Sequence, residues 1–340
     1  MKMLVTGGAG FIGSNFVHYM RKTHPDYELI VVDKLNQQGN LENLAAVRQD
    51  IEFHQFDLIE QDKLKSIFER GVDYVVHFAA ETNVDRSIEN PDLFVDSNVR
   101  ATSILLRLAR DHGVKRFHHV STDEVFGSLD LDTPQKFNER TAYDPRSPYS
   151  ATKAGSDHMV RAYFHTYGLN VTISNCSNNY GPHQVPENVV PVFALMALQD
   201  RPLTIYGDGQ NVRDYLFVLD HCRAIDLIVH KGEAGETYCV GGGQEQNIIQ
   251  IADAVLKVVG KPTSLKKFVT DRPGHDRRYA IDYTKLQREL GYEPSVTFEE
   301  GLRRTVDWYR NNPTWWQPYM KKFYVPKFMQ EDVADLKKGR

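Results

Sequence analysis

Two carboxylates stand side by side in the stretch STDEVFG, Ser121 to Gly127, directly after the apolar run RFHHV. Carboxyls crowded in a sealed pocket can have their pKa values pushed apart, leaving one acid and one base. Adjacent strand residues point to opposite faces, so Asp123 and Glu124 can serve one pocket only if the chain leaves strand geometry at about Thr122. Further along, Tyr149 and Lys153 are four apart and share a face if their stretch is helical. An ammonium close to a phenol favours the phenolate, which is expected to lower the Tyr149 pKa from about 10 toward neutrality. Such a phenol can accept the proton of a sugar hydroxyl while a nicotinamide oxidises the same carbon. With 17 tyrosines in the chain, one such pair is expected by chance, and only Tyr149 has a lysine at that spacing. The pair gains meaning from its place, since it follows the strand whose end carries the hydroxyls of Ser121 and Thr122.

A second constellation lies at the N-terminus, in VTGGAGFIGSNF. Gly7, Gly10 and Gly13 fall three apart, while Gly8, Gly10 and Gly13 also satisfy GxGxxG. Between a strand and a helix, such glycines permit a tight turn, close approach of a pyrophosphate and tight helix–strand packing. The helix N-terminus then offers its free N–H groups to the phosphates. Asp33 ends the next apolar run 20 residues beyond Gly13, where a carboxylate would hold a ribose 2′-hydroxyl. That carboxylate would repel a 2′-phosphate, so NAD is favoured over NADP, with neighbouring Lys34 a smaller opposing influence. Asp57 is placed to meet an adenine edge. The small residues Ala79 and Ala80 let a cofactor lie close to the backbone and equally suit helix–sheet packing.

The elements that must position these residues read as alternating strands and helices. KMLVTG, ELIVVD, IEFHQFD, DYVVHFAA, RFHHVS and VTISNC predict strands, separated by segments whose apolar residues recur at three and four positions. The expected fold is α/β, a Rossmann-type doubly wound parallel sheet with a smaller, mostly helical C-terminal substrate lobe. Ligands then collect outside the carboxyl ends of the strands. Ser147, Pro148 and Gly168 predict the start and stop of the helix bearing Tyr149. From about Asn178 the alternation weakens, but ETYCVGGG reads as one more sheet strand. The two parts are therefore expected to interleave: 1–177 plus about 212–249 for the cofactor, and about 178–211 plus 250–340 for the substrate.

A formal net charge of -4 offers no basic field for nucleic acid. The apolar run VVPVFALMAL is about half the roughly 20 residues a membrane span needs. The N-terminus lacks the apolar region of a signal peptide. Cys176, Cys222 and Cys239 form no CxxC and no His/Cys cluster with metal spacing, so buried reduced thiols in a cytoplasmic protein are expected, and no metal.

Together, TGGAGFIG, STDEVFG and YSATK resemble the extended short-chain dehydrogenase/reductase family, in its NDP-sugar epimerase and dehydratase branch. The resemblance runs from Lys2 to about Asn312. NCSNNYGP, IYGDGQNVRDYLFV and DRPGHDRRYAID are similar to that branch's sugar-nucleotide segments. Thr122-Asp123-Glu124 discriminates within the branch. UDP-sugar epimerases typically lack both acids, and GDP-mannose dehydratases and UDP-glucuronate decarboxylases typically carry a Thr-Ser-Glu-like version.

The resemblance implies 4,6-dehydration of a nucleotide-linked glucose, dTDP-glucose foremost, with tightly bound NAD regenerated in each cycle. It implies Thr122, Asp123, Glu124, Tyr149 and Lys153 as the catalytic set, with Glu124 the base and protonated Asp123 the acid. Around the cofactor it implies Gly7, Gly10, Phe11, Ile12, Gly13, Asp33, Lys34, Asp57, Leu58, Ala79, Ala80, Thr82, Asn98, Ser121, Tyr149, Lys153 and Asn178. For the substrate it adds Asn188, Val189, Tyr206, Asn247 and His275 to Thr82, Asn178 and the catalytic group. Arg213 and Arg272 are placed for the diphosphate, whose oxygens a guanidinium fork matches. A cytoplasmic homodimer joined through helices that include the Tyr149 helix is also implied. The alternatives are another NDP-sugar 4,6-dehydratase, a 4-epimerase or decarboxylase on the same scaffold, and a non-catalytic dinucleotide-sensing protein.

Overall fold

The computed structural model describes residues 1–271 and 275–321. Among them are twelve strands: β1 Lys2–Thr6, β2 Glu28–Asp33, β3 Glu52–Gln55, β4 Tyr74–His77, β5 Arg116–Thr122, β6 Val171–Cys176, β7 Asn178–Tyr180, β8 Leu203–Tyr206, β9 Val212–Phe217, β10 Thr237–Val240, β11 Glu245–Asn247 and β12 Lys266–Val269. Seven form a parallel sheet in the order β10-β6-β5-β4-β1-β2-β3. The order reverses between β1 and β4, which opens a crevice at the carboxyl ends of those two strands. Strands β3, β4 and β10 are shorter than the runs that predict them.

Period-2 alternation sends the sheet's side chains to two cores. Leu4, Ile30, Val75, Phe117 and Val171 pack on one face with Leu64, Leu105 and Val160. Met3, Val5, Val31, Val76 and Val120 pack on the other with Phe16, Val17 and Ile225. The helix Pro148–Tyr167 is bounded as its sequence predicts. Ser147 and Ser150 form a capping box, Pro148 takes the first turn, and Gly168 ends the helix at φ 68°.

A separate apolar cluster joins Tyr180, Phe193, Leu256, Leu302, Tyr309 and Trp315 beyond the strand ends. This part contains two small sheets as well as helices. Strand β9 pairs with β7 and β11 in a three-stranded sheet rather than entering the main one, whereas the helix Val218–Lys231 packs on the main sheet's core. No described helix is long and apolar enough to cross a membrane.

Candidate active site

The site is built where β1, β4 and β5 end. Gly7 turns the chain at φ 69°, and a Cβ there would lie 2.6 Å from the Ala79 backbone nitrogen. Gly13 is more constrained still, since its Cβ would stand 2.2 Å from the Gly7 carbonyl oxygen. The first of the two alternative glycine triads, Gly7-Gly10-Gly13, therefore marks the turn, while Gly8 is packed against Val31. At Gly10 an added methyl would meet only the Gly7 carbonyl, at 3.3 Å, and otherwise stand in the space above the turn. Phe11 and Ile12 open the following helix and pack on the core beneath it.

Asp33 closes β2 and accepts hydrogen bonds from Ala9 N at 3.0 Å and Leu35 N at 2.8 Å. Burial pushes its carboxyl up, and the N–H groups of Leu35 and Ala9 oppose the rise. Lys34 does not stand as a free cation: its ammonium is 2.9 Å from buried Glu81 and 3.6 Å from Asp57. Leu58 lies in the core rather than at the surface of the crevice. Thr82 exchanges hydrogen bonds with Gln38. Asn98 lies in a π-helical turn, Val95–Arg100, of the kind found often at functional sites. Its side chain accepts from Glu81 N and donates to Glu81 O and Thr152 Oγ1, at 2.8, 3.0 and 3.0 Å. The Gly7 turn, the space above Gly10, the Asp33 carboxylate and the buried, unpartnered Asn178 Oδ1 fit a dinucleotide.

Strand β5 ends at Thr122, and a 3₁₀ turn over Asp123–Phe126 begins at once, as two carboxylates serving one pocket require. Thr122 caps the turn, accepting from Glu124 N at 3.2 Å. Asp123 is 2% exposed and its Oδ2 has no hydrogen-bond partner among the described residues. Burial raises its carboxyl well above the usual range, and the charges of Glu124 and Asp214 add to the rise. Asp214 is buried as well, and burial pushes it up to about 6. The rise favours the protonated form of Asp123, the one state in which a carboxyl can donate.

Tyr149 and Lys153 share the face of their helix that meets β5, but the expected lowering of the phenol pKa does not occur. Burial moves Tyr149 upward, the charge of Glu124 adds to it, and a hydrogen bond with Thr122 opposes it. Lys153 instead donates to Val120 O at 2.9 Å and lies 3.5 Å from His119 Nε2. Burial lowers the Lys153 pKa, against the pull of Asp157. Behind the lysine, Asp157 accepts from Ser121 Oγ, Tyr143 OH and Asn175 Nδ2 at 3.0, 2.7 and 3.1 Å. Burial would raise Asp157, but His119, Lys153 and Tyr143 outweigh it and hold the carboxyl low.

On the substrate side the structure brings only some of the expected residues together. Arg213 is nearly buried, stacks 4.1 Å over Tyr279 and donates to the carbonyls of Val212 and Asp276. Its charge also reaches Asp123. The Tyr206 and His275 rings meet edge to face at 6.2 Å, and His275 pairs with Asp271 at 2.7 Å. Asn188 is exposed beside Val189 at the start of the helix Val189–Leu198. Asn247 is committed as the cap of the helix Ile248–Val259, with its oxygen accepting from Gln250 N at 2.8 Å. Arg272 lies outside the described residues.

Several participants carried no recognised signal in the sequence. Glu81, which gathers Lys34, Asn36 and Asn98, opens the polar stretch Glu81-Thr82-Asn83 after Ala79-Ala80. The spacing of Asp157, four residues after Lys153 on one helix, was the signal that could have found the network behind the lysine.

Residues 4–305 match the protein-family model of GDP-mannose 4,6 dehydratase. The dTDP-glucose 4,6-dehydratase of Salmonella typhimurium is 46% identical, over 93% of this chain and 94% of its own. A dTDP-glucose 4,6-dehydratase from Streptomyces venezuelae, solved with NAD and TYD bound, is 47% identical with a TM-score of 0.90, covering 94% of this chain and 100% of that one. Another from Bacillus anthracis, solved with NAD, is 44% identical with a TM-score of 0.87, covering 94% and 99%. The acid pair, the Tyr-Lys helix and the glycine turn thus sit in a chain aligned to these relatives almost end to end, and it belongs to the dTDP-glucose 4,6-dehydratases of the extended short-chain dehydrogenase/reductase family.

Proposed function

We propose that this chain is an NAD-dependent hydro-lyase that converts dTDP-glucose to dTDP-4-keto-6-deoxyglucose. The observation that carries the reading is Asp123, a buried carboxyl with one oxygen unpartnered among the described residues, whose pKa burial and Glu124 raise at the end of β5. Neither epimerisation at C4 nor decarboxylation needs an acid aimed at a C6 hydroxyl, and dinucleotide sensing needs none.

In this reading Tyr149 takes the proton of the C4 hydroxyl, while Thr122 hydrogen-bonds the same oxygen. A bound NAD would supply reversible hydride acceptance, so that the hydride removed at C4 is the one restored at C6 and no net oxidant is consumed. The resulting ketone acidifies the C5 hydrogen, which Glu124 removes. Asp123 donates its proton to the departing C6 oxygen, which leaves as water. Glu124 then returns its proton to C5, and the proton that Tyr149 gained from O4 equals the one that Asp123 gave to the leaving water, so exchange through solvent resets both groups. Burial raises the Tyr149 phenol, so this step requires that bound substrate and the Lys153 ammonium, held by the Val120 carbonyl, favour the phenolate. Gly7, Gly10, Asp33 and Asn178 would hold the cofactor, and Arg213 with His275 would face the diphosphate.

The same likeness supports a cytoplasmic homodimer. Ile88 and Val95, in helices near Tyr149's, and Tyr167, at the end of Tyr149's own helix, are 65%, 48% and 52% exposed, as an interface between copies requires. Light scattering on purified protein would give the mass of two chains. The activity is tested by incubating the protein with dTDP-glucose. Loss of one water by mass without net NAD consumption is expected, a galactose isomer would replace this reading with epimerisation, and inertness toward nucleotide sugars would favour a sensor.

A further inference from the structure

On the side of the sheet away from the acid pair, three side chains with metal-binding atoms converge. His24 follows the helix Phe11–Thr23, and Asp226 and His230 lie one turn apart on the helix Val218–Lys231. One ligand atom from each lies within 4.8 Å of the others. His24 Nε2 is 2.9 Å from Asp226 Oδ1, and His230 Nδ1 is 2.8 Å from the same oxygen. The two imidazole rings stack at 4.9 Å, with His24 Nε2 and His230 Nδ1 both turned to the Asp226 carboxylate.

We propose that His24, Asp226 and His230 form a zinc site that ties the first helix to the helix Val218–Lys231. Two imidazoles and one carboxylate suit Zn²⁺, which binds such nitrogens and oxygens at about 2.0–2.2 Å. Tetrahedral ligands at that radius stand about 3.3 Å apart, so the cluster needs to open by roughly half an ångström. The side chains are 28%, 15% and 22% exposed, which leaves water a path to the fourth position.

A supporting shell is already in place. Tyr27 OH is 2.8 Å from His230 Nε2, and Tyr19 OH donates to Asp226 Oδ2 at 3.1 Å. Metal-binding histidines pass their second ring proton to such a partner, which fixes the tautomer. Zinc on His230 Nδ1 displaces the proton now shared with Asp226 and leaves the Nε2 proton on Tyr27. The two guanidiniums nearest the cluster are engaged elsewhere. Arg116 donates to the carbonyls of Ile228 and Gly232, and Arg223 pairs with Asp220. Tyr27 precedes β2 while the cofactor turn follows β1, so the site lies at the amino ends of the strands, remote from Tyr149.

Titrating zinc chloride calorimetrically into the NAD-loaded enzyme near neutral pH, in two buffers of different ionisation enthalpy, tests this directly. One zinc per chain with proton release is expected, and none of the same heat with magnesium. His24→Ala is expected to lose the binding while keeping dehydratase activity. Tyr27→Phe, which keeps all three ligands, is expected to weaken it about 10–100-fold. Wild-type protein that takes up no zinc, or a His24→Ala variant that binds as wild type does, overturns the proposal.

Discussion

His119 Nε2 lies 3.3 Å from Asp157 Oδ1, with the side chains 1% and 0% exposed, so β5 and the helix carrying Tyr149 and Lys153 are joined where water does not reach. Asp157 also collects Ser121, Tyr143 and Asn175. Asp157→Ala would strand those donors, and each buried polar group left unsatisfied costs about 1–3 kcal/mol. Asp157→Asn keeps an acceptor oxygen and should cost less. Denaturant midpoints check both. A loss below about 1 kcal/mol for Asp157→Ala would put the contact on a par with exposed pairs.

Acid should destabilise the protein well before its carboxylates titrate. His77 and His118 are held far below the ordinary histidine value, His119 and His183 at about 4 and His221 at about 3, in each case by burial first. Between pH 6.5 and these values the unfolded chain binds protons that the folded chain refuses. Stability is therefore full above about pH 6.5 and falls as pH drops, by up to about 1.4 kcal/mol per unit for each histidine. Asp33, Asp123 and Asp214 have raised values, bind protons in the folded state and offset part of this. Thermal melts from pH 7.5 down to about 5 should show a falling midpoint; a flat profile would contradict the buried neutral histidines.

The two carboxylates should fail in different ways. Asp123→Asn removes the acid and should slow water loss about 10²–10⁴-fold, while solvent deuterium still enters at C5 through Glu124. Glu124→Gln should abolish that exchange too. Because Asp123 works protonated, turnover should also fall as pH rises through its raised pKa. Equal exchange in both variants would refute the division of roles.

Gly13→Ala would place a methyl 2.2 Å from the Gly7 carbonyl oxygen and 2.9 Å from Gly8 Cα, both backbone atoms that cannot swing aside. Overpacking of this kind costs about 1–3 kcal/mol. Here it would be felt as a distorted cofactor turn, with NAD affinity reduced about 5–150-fold. Equilibrium binding of NAD to stripped protein measures it, and wild-type affinity would mean that the turn tolerates the shift.

Much of the fold is legible because its rules are local. Apolar alternation marked the strands, Ser147, Pro148 and Gly168 bounded the Tyr149 helix, and the facing rule for adjacent residues required the chain to turn at Thr122. What depends on distant partners was not legible. The direction of the Tyr149 shift is set by how deeply the fold buries the ring beside Glu124, and a four-residue spacing to Lys153 carries no information about that depth. Asn247 is expected at the substrate by resemblance, yet Gln250, three residues on, completes a capping box that commits its side chain to the helix start. The sequence separation of His24 from Asp226 hid their convergence, which only the packing of two helices on one sheet face creates.

The π-helical turn over Val95–Arg100 has a consequence for length rather than chemistry. Bonding from i to i+5 accommodates one residue more per turn than the flanking α-helix uses. Excising a single residue there would let the segment close as regular helix and rotate Asn98 by about 100° about its axis. Asn98 would then lose Glu81 on one side and Thr152 on the other. At this point in the chain a one-residue deletion is therefore a sharper change than most substitutions, because besides the residue removed it re-aims a side chain that it leaves intact.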